Sequence, residues 1–289
     1  MIDIKREYML LNLIISAFLG SWFRISEPFM LLLARQKSKG KVESDLVSII
    51  IATYNEFLNI QKTLDSIKNQ KYKNTELIVI DANSDDGTVG ILKKNSSEIK
   101  YFLSEDDLGI YDAWNKALNV SSGDWIMFLG AGDCLKPNAL STYIASINHN
   151  NFINFISSKG IVIDSKGMPL REFGKSFDKS AFLKYMTICH PSSLHHKSLF
   201  KDYGHFNISY KICADYDFLV RAIDSIHPKF INKNLVEVLD GGISAYSFTG
   251  LYETKLIKLS KRSKIQVEFE WFLSVIKLYI KIQLLGRAV

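Results

Sequence analysis

The centre of the chain alternates short, continuous apolar runs with segments of helical periodicity. Apolar runs rich in branched residues are typical of parallel strands buried on both faces. Their alternation with helical segments predicts an α/β domain built on a mainly parallel sheet. The predicted order is strand 46–53, helix 57–70, strand 76–82, helix 84–94, strand 98–104, helix 109–123 and strand 124–130. Right-handed crossovers bring the carboxyl ends of such strands to one edge, where ligands bind.

Both ends of the chain carry apolar segments of a different kind. The mostly apolar stretch from Tyr8 to Phe23 would span roughly 24 Å as a helix, short of the ~30 Å hydrocarbon core of a membrane. It fits an interfacial or re-entrant segment, helices packed on the protein's own core, or a true span or signal peptide. From Trp271 onwards, apolar residues recur at helical spacing. This pattern fits a helix packed on the domain or a partner chain, or an amphipathic helix on anionic lipid.

The formal net charge of +6 resides at the two ends of the chain. Residues 251–289 hold eight Lys or Arg against three acids, and residues 1–45 hold seven against five. A nucleic-acid-binding protein more often carries its basic face on the folded domain, so no nucleic-acid partner is expected. Basic ends beside a nearly neutral centre fit an anionic membrane surface better. Three cysteines without CxxC spacing favour a reducing compartment.

Polar residues gather where the predicted strands end. No GxGxxG or GxxxxGK[ST] motif follows the first strand, so neither a dinucleotide site nor a P-loop is expected. An acid at such an edge can accept a hydrogen bond from a nucleotide base, and a single acid can hold a divalent cation with the help of phosphate oxygens. The polar positions are 53–56 after the first strand, 81 and 83–86 after the second, and 133 after the fourth.

Four segments in this order, VSIIIATYNE, LIVIDANSDDGT, DDLGIYDAWNKAL and SGDWIMFLGAGD, resemble family 2 glycosyltransferases of the GT-A fold. The nearest likeness is to the colanic-acid and O-antigen type, which builds bacterial surface polysaccharide. The resemblance covers roughly residues 46–250 and implies a Rossmann-like, mainly parallel mixed sheet flanked by helices. Residues 46–135 would bind the nucleotide sugar and residues 136–250 the acceptor. Segments 1–45 and 251–289 are expected to be helical and to associate with the membrane.

The resemblance assigns donor-nucleotide contacts to the strand ends and to the third predicted helix. Asp81 would accept a hydrogen bond from the base, usually uracil, which suggests a UDP-linked donor. Asn115 has an alternative as a helix residue bonded to backbone, and Trp114 stands where many members carry an arginine. For Asp85, Asp86 and Thr88 a turn and helix cap is favoured over a ligand role. The assigned donor residues are Thr53, Tyr54, Asn55, Glu56, Asp81, Ser84, Asp112 and Asn115.

The family's metal motif falls on Gly130 to Asp133, where many members read Asp-x-Asp-Asp. Only the last acid is retained here. The resemblance implies that Asp133 binds Mn²⁺ or Mg²⁺, which bridges to the diphosphate of the donor. One carboxylate can serve because diphosphate oxygens and water complete the coordination. A weaker dependence on metal is therefore expected.

The segment ICADYDFLVRA at 212–222 resembles the family's catalytic element. It implies that Asp215 is the base that takes the proton from the acceptor hydroxyl, with the cap of a helix over 216–226 as the alternative. Asp217 and Arg221 align with a following acid and arginine near the acceptor or diphosphate, but their i, i+4 spacing also predicts an ion pair, which is favoured for Asp217. His190 stands where it would contact acceptor or diphosphate, or be a satisfied buried histidine.

These features together predict an inverting glycosyltransferase. It would move a sugar from a nucleotide-diphosphate donor to a polyprenyl-diphosphate-linked glycan at the cytoplasmic face of the bacterial inner membrane. The alternative is a catalytically idle nucleotide-sugar-binding or scaffold subunit of a membrane assembly complex. The thinned metal motif favours this alternative, whereas the retention of Asp133 together with Asp215 argues against it.

Overall fold

The computed structural model describes residues 45–147, 152–242 and 247–285. The predictions for the N-terminal segment 1–45 therefore lie outside the described residues, apart from Asp45. No helix within the described ranges is long and apolar enough to cross a membrane. The domain boundaries at 46, 135 and 250 remain predictions.

Four parallel strands form the first half of the sheet, in the order β3-β2-β1-β4. Strand β1 lies in the middle, paired over its length with β2 on one side and with β4 on the other. This explains why its sequence is apolar without alternation, since both of its faces are covered. The strands are β1 (Val47–Thr53), β2 (Thr75–Asp81), β3 (Tyr101–Ser104) and β4 (Trp125–Gly130).

The remaining strands make the described sheet mixed and nine-stranded. From β4 the order continues β8-β6-β9-β5, and β7 pairs with β6. The pairs β4–β8, β8–β6, β6–β7 and β9–β5 are antiparallel, whereas β6 and β9 run parallel. The strands are β5 (Cys134–Leu135), β6 (Phe155–Ile163), β7 (Pro169–Phe173), β8 (Ser193–His196) and β9 (Pro228–Leu239).

Helices cover both faces of the sheet and produce two apolar layers. Ile49 and Ile51 of β1 pack towards α1 and α4, whereas Ile50 faces α3 and α7. Alternate side chains of one strand thus enter opposite layers. The fold predicted from the sequence is confirmed. The helices are α1 (Ile60–Lys68), α2 (Thr88–Lys94), α3 (Ile110–Val120), α4 (Ala139–Ala145), α5 (Lys179–Phe182), α6 (Lys197–Tyr203), α7 (Ala214–Arg221), α8 (Phe248–Leu259) and α9 (Lys264–Leu285).

A buried glutamate ties the amino-terminal ends of three strands together. Glu76 of β2 accepts hydrogen bonds from Ser48 Oγ of β1 at 2.6 Å and from the backbone N–H and hydroxyl of Ser122 at 2.6 and 2.7 Å. The N–H of Gly123, just before β4, donates to both Glu76 and Ser48 Oγ. A Cβ at Gly123 would lie 2.4 Å from Ser48 Oγ and 2.7 Å from the Ser48 nitrogen. This turn therefore has no room for a side chain.

We predict that Gly123→Ala lowers the free energy of unfolding by about 1–3 kcal/mol, because the added methyl must displace backbone in a packed interior. Urea unfolding followed by circular dichroism measures the effect. Gly90→Ala is the matched control, since nothing lies within 4 Å of its Cβ position in α2. That variant should gain up to about 1 kcal/mol from helix propensity. Equal stabilities of the two variants would contradict this account of the turn.

Candidate active site

The loops after β1 and β2 are bonded to each other at the carboxyl edge of the sheet. Asn55 donates its N–H to Ser84 Oγ at 2.8 Å, and its side-chain oxygen accepts from the N–H of Asp85 at 3.1 Å. Asn55 and Asn83 both adopt left-handed backbone conformations, with φ of 52° and 57°. Asparagine tolerates this region better than most residues. The two loops therefore form one fixed surface rather than two independent ones.

Asp81 ends β2 beneath this surface and is fully buried. Its carboxyl group accepts hydrogen bonds from Ser84 Oγ at 2.5 Å, the Ser84 N–H at 3.0 Å and Ser104 Oγ at 2.6 Å. Two of these bonds go to Oδ2 and one to Oδ1. Because each carboxyl oxygen has two acceptor positions, one position remains on Oδ1. Because Asp81 has no exposed surface in this arrangement, its contact with a nucleotide base stays a prediction.

The other residues after β1 differ in exposure. Tyr54 is 63% exposed, whereas Thr53 is buried and its hydroxyl has no partner among the described residues. Glu56 donates its N–H to Thr88 Oγ1 at 2.9 Å and accepts from Asn59 Nδ2 at 2.9 Å. The structure thus presents Tyr54 to solvent and ties Glu56 into the loop.

Asp86 and Thr88 serve the turn that leads into α2. Asp86 accepts from the N–H and the hydroxyl of Thr88 at 2.9 and 2.6 Å, and from the Phe57 N–H at 2.9 Å. Desolvation, the largest single effect, raises the pKa of Asp86, but the hydrogen bonds from Thr88 and Phe57 together outweigh it and lower the pKa. The turn favoured from the sequence matches this geometry. The predicted side-chain cap does not, because the N-cap of α2 is Gly87 and α2 has no side-chain cap hydrogen bond in the part of the chain that the structure describes.

Helix α3 carries the other two residues assigned to the donor. Asp112 accepts from the Leu108 N–H at 3.1 Å and forms an ion pair with Lys116 at 3.2 Å. Asn115 donates to the carbonyl of Phe206 at 2.9 Å and accepts from its N–H at 3.0 Å. Both the nitrogen and the oxygen of the Asn115 amide are therefore bonded to backbone groups of Phe206. This matches the alternative of Asn115 as a helix residue bonded to backbone. Donor contact by either residue stays a prediction.

His190 lies inside an aromatic cluster. Its ring stacks with Trp114 and Phe128 at centroid distances of 5.3 and 5.6 Å. Burial lowers its pKa to about 3, so the imidazole is neutral at physiological pH. Its Nε2 has no hydrogen-bond partner in the described part of the chain. The sequence offered a buried histidine with hydrogen-bonded ring nitrogens as the alternative. The structure shows the burial, but Nε2 lacks the hydrogen bond within the described residues.

Asp133 follows β4 and is buried beside the end of β9. Its two oxygens accept one N–H each, from Leu239 at 3.0 Å and from Gly130 at 3.3 Å. Desolvation raises its pKa to about 7; the charge of Glu56 adds to the rise and the two N–H bonds oppose it. A Cβ at Gly130 would lie 2.8 Å from the carboxyl oxygen. The glycine that replaces an acid of the metal motif therefore leaves space for the acid that remains.

The described residues hold no group of three or more His, Cys, Asp or Glu side chains that could bind a metal ion. Asp133 nonetheless fits one ligand position, because each of its oxygens keeps one acceptor site after the backbone bonds. A cation there would take its other ligands from phosphate oxygens and water. Glu56 is the nearby acid whose charge acts on Asp133.

Asp215 lies in the first turn of α7. The observed N-cap is Cys213, so the alternative of Asp215 as cap of a helix over 216–226 is wrong: the helix starts earlier, at Ala214, and ends at Arg221. Asp215 Oδ1 accepts from the Tyr216 N–H at 2.8 Å. It also lies 3.2 Å from the Tyr111 hydroxyl, whose single proton it shares with the carbonyl of Ile212 at 2.5 Å. Oδ2 accepts no hydrogen bond within the described residues. Desolvation raises the pKa of Asp215 to about 6.

The ion pair predicted between Asp217 and Arg221 is present, with Arg221 Nε 2.9 Å from Asp217 Oδ2. The Arg221 guanidinium also donates to the carbonyls of Tyr203 and His205. These contacts join α7 to the end of α6. A contact of either side chain with acceptor or diphosphate stays a prediction.

Comparison with known proteins gives the family of this chain. The model of glycosyl transferase family 2 matches residues 48–204, which include all of β1 but its first residue, the two bonded loops, Asp133 and His190. The chain belongs to glycosyl transferase family 2. The resemblance found in its four motifs is thereby confirmed, whereas the narrower colanic-acid and O-antigen type is not tested.

Relatives of this glycosyltransferase occur in bacteria and archaea. It is 30% identical over 184 residues to the PGL/p-HBAD biosynthesis glycosyltransferase of Mycobacterium bovis, covering 62% of this chain and 70% of that protein. It is 27% identical over 241 residues to an uncharacterized glycosyltransferase of Methanocaldococcus jannaschii, covering 78% and 82%.

Solved structures share the GT-A fold of this glycosyltransferase. S. aureus TarS 1–349 in complex with UDP-GlcNAc has a TM-score of 0.62 at 18% identity and covers 78% of this chain and 70% of its own. The mannosyltransferase PcManGT of Pyrobaculum calidifontis, in complex with GDP-Man and Mn²⁺, has a TM-score of 0.57 at 15% identity and covers 89% and 79%. At this identity the likeness shows the fold alone.

Two residues that contact the Asp215 region were not predicted from the sequence. Tyr111 lies inside a quoted motif but had no assigned role, and its contact with Asp215 spans more than a hundred positions. Glu253 of α8 binds three backbone N–H groups just before α7. Its one sequence signal is that it is an acid in a strongly basic segment.

We predict that Asp133 makes stability depend on pH between about 4 and 7. Its folded pKa of about 7 exceeds the ordinary value of 3.8, so the folded state holds a proton that the unfolded state releases. The free energy of unfolding therefore falls as pH rises through this window, by on the order of 2–4 kcal/mol from this group. Asp133→Asn should flatten the slope.

Urea midpoints from pH 4 to pH 8 in EDTA measure that slope, and the slope rather than the absolute stability is compared. Asp202→Asn, which changes an exposed acid on α6, is the control and should follow the wild type. Parallel curves for the wild type and Asp133→Asn would show that Asp133 does not titrate as described.

Proposed function

We propose that this glycosyltransferase is an inverting enzyme. It moves a hexosyl or N-acetylhexosaminyl group from a UDP-linked donor to a polyprenyl-diphosphate-linked glycan. The observation that carries the proposal is the geometry of Asp215. One of its oxygens is anchored by Tyr111 and the Tyr216 N–H, and the other accepts no bond within the described residues.

Asp215 supplies the proton acceptor that direct displacement needs. The acceptor hydroxyl must lose its proton as it attacks the anomeric carbon, and Oδ2 is the oxygen available to take it. A pKa raised to about 6 by desolvation makes Asp215 a stronger base than an exposed aspartate. It is still mostly ionised at neutral pH. Both properties suit a general base.

The donor is proposed to lie at the carboxyl edge of the parallel strands. Asp81 offers its remaining acceptor position to the base, and the bonded loops of Asn55 and Ser84 hold the surface around it. Mn²⁺ or Mg²⁺ bound at Asp133 would neutralise charge on the leaving diphosphate. TarS with UDP-GlcNAc supports a UDP-linked donor, and PcManGT with GDP-Man and Mn²⁺ supports a cation.

The acceptor is proposed to be presented at the cytoplasmic face of the inner membrane. Among the side chains that the structure describes, helix α9 exposes seven apolar ones, including Leu273 and Ile280. Five of the seven recur at intervals of four and three residues and are here called the terminal apolar face: Ile265, Phe269, Phe272, Ile276 and Tyr279. Lys264 and Lys277 are exposed on the same helix. An apolar stripe with exposed lysines suits an interfacial helix on anionic lipid.

We predict that Asp215→Asn lowers the rate of sugar transfer by ~10²–10⁴-fold, the usual contribution of a general base. UDP release from a panel of UDP-sugars measures it, first alone and then with a polyprenyl-diphosphate-sugar acceptor. In the wild type kcat/KM should fall as pH drops below about 6, where Asp215 gains its proton. Asp202→Asn is the control.

Near-normal turnover of Asp215→Asn would remove the assignment of the base. If the wild-type chain binds a UDP-sugar but releases no UDP with any donor and acceptor, the scaffold alternative is favoured. Slow release without acceptor, accelerated by acceptor, is the result that the enzyme predicts.

We predict that the terminal apolar face binds anionic lipid. Phe269→Ser with Phe272→Ser should weaken binding to phosphatidylcholine vesicles containing phosphatidylglycerol by ~10-fold or more, because each ring loses apolar burial. Vesicle co-sedimentation of the full chain measures it. Phe152→Ser with Met168→Ser removes two exposed apolar residues elsewhere and should not change binding. Equal loss in both pairs would mean that the face has no specific role.

A further inference from the structure

A buried carboxylate of α8 holds the loop that precedes α7. Glu253 Oε1 accepts from the Lys211 N–H at 2.7 Å, and Oε2 accepts from the N–H groups of Ile212 and Cys213, both at 2.9 Å. Three consecutive backbone amides thus point at one side chain. Glu253 is 6% exposed and forms no ion pair within the described residues. Its charge is therefore stabilised by backbone dipoles, in bonds stronger than neutral ones.

The same loop is held from the opposite side by α3. The Tyr111 hydroxyl donates to the carbonyl of Ile212 at 2.5 Å and also lies 3.2 Å from Asp215 Oδ1. Lys211 reaches the carbonyl of Leu108, in the loop before α3, at 3.1 Å. Residues 211–213 are thereby fixed between α8 and α3. Two residues beyond them lies Asp215.

We propose that Glu253 is a positioning residue for Asp215: its carboxylate fixes the 211–213 backbone, and this fixes the direction in which Asp215 Oδ2 faces the acceptor. The inference rests on the proposed role of Asp215 as the base. Glu253 does not touch the reacting atoms and acts through the loop.

The negative charge of Glu253 also affects the pH dependence of the reaction, which can be measured. The ionisable groups around Asp215 are Tyr111 of α3, Cys213 of the loop, Tyr216 of α7 and Glu253 of α8. Among them the negative charge of Glu253 raises the pKa of Asp215, in addition to the larger effect of desolvation. Removing that charge lowers the pKa of Asp215. The fall of kcat/KM on the acid side of the pH profile, here called the acid limb, then moves to lower pH.

The test compares three variants of the full chain. Glu253→Gln removes the charge and leaves one acceptor oxygen for three amides, whereas Glu253→Asp keeps the charge on a shorter side chain. Glu270→Gln is the matched control. Glu270 binds Arg262 at 2.6 Å and Lys258 at 3.4 Å, so it joins α8 to α9 without contacting the loop.

With UDP release from UDP-GlcNAc, or from the best donor of the panel, Glu253→Gln should lower kcat by ~10- to 100-fold, since misplacement of a catalytic group by about 1 Å has effects of this size. KM for the donor should stay within about twofold, because the loop lies outside the proposed donor surface. The acid limb should move to lower pH. Glu253→Asp should restore the limb and part of kcat, and Glu270→Gln should lower stability without moving the limb.

Hydrogen exchange of the amides of residues 211–213 gives a readout that needs no activity. These amides should exchange at least ~10-fold faster in Glu253→Gln than in the wild type or in Glu270→Gln. Unchanged exchange, or an unchanged kcat and acid limb, would overturn the proposal. Failure of the proposed function is seen separately, as turnover that survives Asp215→Asn. An inactive Asp215→Asn beside a normal Glu253→Gln would defeat the positioning role alone.

Discussion

A buried carboxyl group must be hydrogen-bonded, and this requirement organises the described structure. Glu76, Asp81, Asp133 and Glu253 are all buried, and none forms an ion pair within the described residues. Each accepts hydrogen bonds from backbone N–H groups, and Glu76 and Asp81 accept from hydroxyls as well. Every one of them joins segments that are distant in sequence or closes a turn at a strand end. Burying a carboxyl group without hydrogen-bond partners costs several kcal/mol of free energy. These turns therefore have few alternative conformations.

The order of elements was predictable because it depends on local sequence. Continuous branched runs indicate the parallel strands, and the structure places three of the four within one residue of the predicted limits. The third strand begins at Tyr101 rather than at 98. The helix after β1 begins at Ile60 rather than at 57. The physical reason lies outside the segment, since residues 55–57 are bonded to the loop after β2. The local pattern of apolar and polar residues does not reveal such a contact between two distant loops.

The site was predictable only as far as its motifs reach. Asp81, Asp133 and Asp215 lie on segments that resemble the family, and their places at strand or helix ends follow from the order of elements. The roles of Tyr111 and Glu253 depend on contacts across 40 to 104 positions, which neither charge nor periodicity reveals. Asn115 shows the same limit, since its partner Phe206 lies 91 positions away.

The structure also changes the meaning of the basic C-terminal segment. Four of its cations are used in ion pairs: Lys255 with Glu268, Lys258 and Arg262 with Glu270, and Lys261 with Asp224. Half of the eight positive charges counted along residues 251–289 thus pair within the segment of α8 and α9 or with the turn that follows α7. Binding to anionic lipid would therefore depend less on total charge than on the exposed apolar side chains of α9 and the lysines beside them.

Helix α8 connects two regions that the sequence treated separately. Its inner face carries Glu253, which binds the loop before Asp215, while Tyr252 and Leu256 of the same helix are exposed. A lipid surface that contacts those exposed residues would contact the same helix that, in our proposal, fixes residues 211–213 before Asp215. Such contact can change catalysis only if lipid binds more tightly to the arrangement in which Glu253 holds its three amides.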